Sequence, residues 1–148
     1  MKLLLALLIL LPINSYSEEQ IKILRIIDAD TILVSAPFMP APLKKQMPMR
    51  LSNVDTPNIN RWANCGSEAT LGEEAKKYVE SLIKKSKKQQ VNIVGYDKYG
   101  RWLGQIYLDG KSISDSLIEK KFARPYYGGK KQSWCNKWNN LKNIYQKI

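Results

Sequence analysis

Three short stretches of the chain carry side chains suited to work on a phosphate. They are Ile27-Asp28-Ala29-Asp30-Thr31, the run from Arg50 to Asp55-Thr56-Pro57, and Tyr99-Gly100-Arg101. Carboxylates at strand ends supply hard oxygen ligands to Ca²⁺ or Mg²⁺, with water and a substrate phosphate completing the shell. Two arginines beside such an ion would clamp the phosphate and stabilise the extra negative charge of a pentacoordinate phosphorus, as phosphodiester hydrolysis requires. The same residues also have plainer readings, as turn-forming acids for Asp28 and Asp30 and as surface ion pairs for Arg50 and Arg101. Arg50 and Asp55 are an odd number of residues apart, so strict strand alternation sends them to opposite faces. Their convergence needs a bulge or a strand end between them.

Composition narrows the chemistry further. The 148 residues include 24 Lys+Arg, 13 Asp+Glu, two Cys and no His. A Ser-His-Asp or Cys-His triad, a His-ligated zinc and an imidazole base are therefore excluded. Carboxylate, Lys, Tyr, Arg or an oxygen-ligated metal remain. A formal net charge of +11 points to a polyanionic partner, either nucleic acid or an anionic membrane surface.

The elements that must position these residues follow from periodicity. Residues 21–27 and 31–35 are rich in β-branched side chains and flank Asp28-Ala29-Asp30, which predicts a hairpin with acids in its turn. A loop containing Pro37, Pro40, Pro42 and Pro48 follows, then a third strand over 49–54 that Asp55-Thr56-Pro57 ends. Apolar positions Leu71, Ala75, Tyr78, Val79, Leu82 and Ile83 recur at helical spacing within 68–85. Residues 90–96 and 102–108 predict a second hairpin, and 114–121 a short helix with a Ser N-cap. Trp134, Trp138, Leu141 and Tyr145 fall on one face of a C-terminal helix and read as core packing. The sum is an α+β, β-rich domain, a five-stranded OB-fold barrel capped by about three helices.

At the N-terminus, Lys2 precedes an apolar run over 3–13 and the small residues Ser15 and Ser17. The run falls short of the roughly 20 residues a spanning helix needs, so residues 1–17 read as a cleaved signal peptide without stable membrane insertion. Residues 18–148 then form the domain, secreted or periplasmic. In an oxidising compartment Cys65 and Cys135 pair as a disulfide, the alternative being two buried thiols.

The three stretches, now extended to Arg50-Leu51-Ser52-Asn53-Val54-Asp55-Thr56-Pro57 and Asp97-Lys98-Tyr99-Gly100-Arg101, resemble the signature segments of the staphylococcal nuclease (thermonuclease) family in order and spacing. The likeness covers about 21–127, and Arg124-Pro125-Tyr126-Tyr127-Gly128-Gly129 is similar to exported bacterial members. The resemblance implies an OB-fold nuclease, a monomer, that hydrolyses DNA and RNA with Ca²⁺, ahead of Mg²⁺ or another divalent ion, water attacking phosphorus and the 5′ oxygen leaving. By position, Asp30 and Asp55 match carboxylate metal ligands and Thr56 a backbone-carbonyl ligand. Arg50 and Arg101 match the phosphate-binding arginines, Lys98 and Tyr99 match contacts to the terminal phosphate and base, and Tyr127 matches a base-stacking tyrosine. Asp28 matches an acid outside the metal ligands.

Asn58 stands where the family typically has Glu, the general base or water-orienting group. An amide takes no proton near neutral pH, although its oxygen can hold water by hydrogen bonding. Two activities follow: a secreted metal-dependent nuclease weakened at Asn58, or a catalytically impaired OB-fold protein that binds nucleic acid. A cationic protein acting on anionic envelopes is a third reading that only the charge favours. Glu68 is the carboxylate nearest in sequence that could replace the missing base, although an acid in the first turn of a helix also suits the helix dipole.

Overall fold

The computed structural model describes residues 21–135, so the expected leader and most of the expected C-terminal helix lie outside the described residues. Strands β1 (Ile23–Asp28) and β2 (Thr31–Ser35) form the first hairpin around Ala29-Asp30. Strand β3 (Gln46–Leu51) pairs antiparallel with β2 and sets Arg50 directly across from Thr31. Pro48 lies inside β3, opposite Leu33, where only the edge away from β2 lacks a partner strand. A missing N–H is tolerated on such an edge.

The predicted third strand over 49–54 is two strands. β3 stops at Leu51, and a short β4 (Val54–Asp55) starts after Ser52-Asn53. Asn53 has φ 65°, the left-handed region that Asn tolerates better than most residues, and it turns the chain between the two. A 3₁₀ turn over Asn60–Trp62 follows, then helix α1 (Gly66–Lys85). Strands β5 (Gln89–Tyr96) and β6 (Trp102–Leu108) make the second hairpin, and β6 joins β3 in parallel. A two-residue β7 (Lys111–Ser112) leads into α2 (Ile113–Glu119), and β8 (Arg124–Pro125) pairs antiparallel with β4. The α2 cap is Ser112, whose Oγ accepts from the Asp115 amide at 3.2 Å, so this helix starts one residue earlier than its pattern suggests.

The five long strands run in the order β1-β2-β3-β6-β5, and among the described residues no ladder closes β5 back onto β1. The domain is a β-rich α+β fold, OB-like, with two helices described. Ile32, Val34, Met49, Leu51, Trp102 and Ile106 from the sheet meet Ala75 and Val79 of α1 and Ile113 and Leu117 of α2 in one core. Apolar burial of this kind stabilises by roughly 25 cal/mol per Å² and so fixes which sheet face carries polar work. Gly72 of α1 is a close-approach position: a Cβ there would lie 2.6 Å from the Asn58 carbonyl oxygen and 2.9 Å from that of Pro57. The bare helix surface lets the 57–59 loop lie flat against α1. No helix among the described residues is long and apolar enough to cross a membrane.

Candidate active site

The acids and arginines meet because of where β3 and the hairpin turns end. Asp30 is 2% exposed and holds an ion pair with Arg50. It also accepts from the Thr56 hydroxyl at 2.7 Å and from its neighbour Thr31 at 3.0 Å. The turn at Asn53 reverses the chain after Arg50, and the Arg50 guanidinium reaches the Val54 carbonyl at 3.4 Å. The two side chains nevertheless take different partners, Arg50 pairing with Asp30 and Asp55 with Lys131. Asp55, 4% exposed, lies on the short β4–β8 ladder, accepts from the Trp134 indole N–H at 2.9 Å and pairs with Lys131 at 2.5 Å.

In the second hairpin, Asp97 organises Arg101. Its Oδ1 accepts from the Tyr99 and Arg101 amides at 2.8 and 3.0 Å, and its Oδ2 from Arg101 Nε at 2.6 Å. Burial pushes the Asp97 carboxyl up, but the Arg101 side chain and the two amides outweigh it and leave the pKa lowered. Gly100, with φ 76°, supplies the turn that brings Arg101 back toward Asp97.

Asp28, Asp30, Arg50, Asn58, Lys98, Tyr99, Arg101 and Tyr127 all line one open cleft of about 1040 Å³. That size is at the upper end for small-ligand pockets and leaves room for more than a lone phosphate. Asp55 and Thr56 do not line it; they are buried behind Asp30 and joined to it by the Thr56 hydroxyl. The Asp28 carboxyl, also in the cleft, has its pKa raised to about 6. Burial is the main cause and the charge of Asp30 the next, against the Ala29 amide, Arg50 and Lys76.

Glu68 is a structural acid here. Only 1% exposed, it accepts from the Asn58 amide and Nδ2 on one oxygen (3.1 and 3.0 Å) and from the Asn64 amide and Nδ2 on the other (2.7 and 2.9 Å). Its carboxylate thus pins both ends of the 58–64 loop to the first turn of α1 and has no oxygen left for an attacking water. Burial alone would raise its pKa; the four hydrogen bonds, led by the Asn64 and Asn58 amides, lower it. A depressed carboxylate pKa contributes stability above the unfolded value of 4.5 and loses it as pH falls through the folded value. Glu68→Gln is expected to cost about 1 to 3 kcal/mol at pH 7, because the amide turns a donor toward a donor. The deficit should shrink below pH 4 in urea melts, and an equal deficit at pH 3 and pH 7 would contradict this role.

Sequence patterns did not single out Lys131 or Trp134 as partners of Asp55. Both sit on the segment after Tyr127, which the disulfide between Cys65 and Cys135 ties down, with Cα atoms 5.9 Å apart. Arg124 packs its guanidinium 3.8 Å from the Trp134 ring centroid and donates to the Ser133 carbonyl at 3.2 Å. Replacing both cysteines with Ser is expected to lower the unfolding free energy by about 4 kcal/mol, the chain-entropy value for a separation of 70 residues. Urea melts of the variant and of the reduced wild type should agree; a loss under about 1 kcal/mol would mean the segment is held without the bond.

A β-rich OB-like domain that gathers acids, two arginines and exposed tyrosines in one cleft is a class of fold suited to holding a phosphodiester chain. A family model described as "Staphylococcal nuclease homologue" matches residues 48–146. The chain belongs to the staphylococcal nuclease family. It is 35% identical over 105 residues to endonuclease YncB of Bacillus subtilis, covering 70% of this chain and 46% of that protein. It is 30% identical over 100 residues to staphylococcal-like nuclease CAN1 of Arabidopsis thaliana (66% and 28%), and 29% identical over 121 residues to a thermonuclease of Staphylococcus hyicus (78% and 67%). The chain spans less than half the length of the first two of these relatives.

Proposed function

We propose that this domain is an exported, monomeric, metal-dependent nuclease that hydrolyses phosphodiester bonds in DNA and RNA with little sequence specificity. The observation that carries the reading is a cleft that the Asp30–Arg50 pair lines together with Arg101, Lys98, Tyr99 and Tyr127. Export is supported by the apolar leader pattern and by the Cys65–Cys135 bond, which persists in oxidising compartments.

The donor set fits a hard divalent cation, Ca²⁺ first. Asp30 and Asp55 are buried carboxylates, and each is neutralised by a cationic side chain, Arg50 or Lys131. A bound ion would replace these side chains as the compensating charge, and carboxylate oxygens are the hard donors such an ion takes. Asp30 and Asp55, with Thr56 next to Asp55 in the chain and hydrogen-bonded to Asp30, would hold the ion, which would stabilise charge on the phosphate and make a water more acidic.

The chain's own groups do the rest. Arg50 and Arg101 bind the phosphate oxygens and stabilise the charge that builds as phosphorus becomes pentacoordinate. Lys98 meets the neighbouring phosphate, and Tyr99 and Tyr127, 71% and 83% exposed, offer faces on which bases stack. Asn58 donates its Nδ2 to Glu68, so what it can offer an attacking water is its amide oxygen, an acceptor and not a base.

That last observation favours a second reading, a nucleic-acid-binding OB domain with impaired turnover. Digestion of denatured DNA and RNA in Ca²⁺ or EDTA decides between them: Ca²⁺-dependent cleavage is expected. Binding without cleavage in either condition, by protein shown to be folded, would establish the second reading.

A further inference from the structure

Trp62 is 69% exposed, yet it belongs to a loop fastened at several points. Its amide donates to the Ile59 carbonyl at 3.2 Å within the 3₁₀ turn, and Asn60 holds φ 52°. The loop is bound to Glu68 through Asn58 and Asn64, and beyond Asn64 it meets the disulfide at Cys65. Among the described residues no core packing accounts for a large indole carried at the surface of a fastened loop. The Arg61 guanidinium lies 5.0 Å from its ring centroid, which sets a cation beside the π face.

Trp62 also lines the same cleft as Arg50, Asn58 and Tyr127. We infer that Trp62, backed by Arg61, is a base-stacking platform that binds an unpaired nucleobase of a single-stranded substrate on the Asn58 side of the cleft, apart from the bases met by Tyr99. The cation suits the adjoining phosphate, and the ring suits any base because every base has a π face. A platform already fixed in place spends little of the stacking energy on ordering itself. The inference rests on the reading of the cleft as a nucleic-acid site.

The test is equilibrium binding of a short oligothymidylate, and of an abasic sugar-phosphate oligomer of the same length, in EDTA at fixed salt. Trp62→Ala should weaken oligothymidylate binding roughly 5- to 150-fold, the range for loss of one stacked base. It should leave the abasic oligomer bound as in wild type, and Trp62→Phe should restore most of the loss. Equal binding of oligothymidylate by wild type and Trp62→Ala overturns the platform while the nucleic-acid reading stands. A parallel loss with both oligomers also overturns it, since that reports phosphate contact or a disturbed loop. Failure of the wild type to bind either oligomer overturns the platform, while the reading of the cleft is decided separately by the Ca²⁺-dependent digestion.

Discussion

Arg101→Ala is expected to lower kcat/KM on denatured DNA by about 10² to 10³-fold while leaving the thermal stability within about 1 kcal/mol of wild type. The catalytic figure is that for removing one preorganised donor aimed at developing charge. The stability figure follows from position. Arg101 is 29% exposed at its side chain and pairs with Asp97 within a single turn, where an ion pair contributes little net free energy. Arg50→Ala should cost as much in rate but also destabilise, because it strips the partner from a carboxylate that is only 2% exposed. The two variants therefore separate two roles, a phosphate ligand on an exposed hairpin turn and a phosphate ligand that is also a buried counter-ion. Cleavage rates combined with urea melts measure both. Activity of Arg101→Ala within tenfold of wild type would remove Arg101 from the phosphate site.

Single residues were ambiguous in the sequence, because Asp is common in turns for its own reasons, and it was the order and spacing of three linked stretches that singled out the residues now found lining one cleft. What local pattern could not supply was the path between them. Alternation sends Arg50 and Asp55 to opposite faces, and across the left-handed Asn53 and the separate β4 they take different partners, Asp30 and Lys131. Glu68 could be read as a dipole-compensating acid, and it does sit in the first turn of α1, but its hold on Asn58 spans ten residues and a bare Gly72 surface. Lys131 and Trp134 reach Asp55 from nearly eighty residues downstream, through a disulfide and a cation–π stack. Contacts of that range leave no periodic trace, and neither does the exposure of Trp62, which any apolar pattern would place in the core.

Asn58→Glu is expected to raise kcat by about 10² to 10⁴-fold, the usual worth of a positioned general base. The geometry around Asn58 says how that gain would be delivered. Its Nδ2 now donates to Glu68 Oε1 at 3.0 Å, so a carboxylate in its place would put two like charges at hydrogen-bonding distance. Repulsion of that kind raises the pKa of one member of the pair and drives the more mobile side chain away. Glu68 is held by Asn64 and by the backbone amide of residue 58, so the introduced carboxylate is the one that swings toward the cleft. The variant should therefore lose about 1 to 3 kcal/mol of stability, from the broken Asn58–Glu68 side-chain contact, while gaining rate. Its pH-rate profile should acquire an acidic limb absent from the wild type, because the new base must be ionised to act. Adding Glu68→Gln relieves the repulsion and should return part of the rate gain to the wild-type level, as the new carboxylate can then accept from the introduced amide. A rate gain below tenfold, with no new limb, would mean that the wild-type cleft already activates water without a base at residue 58. Cleavage that appears only in the variant would make binding the native role of this chain.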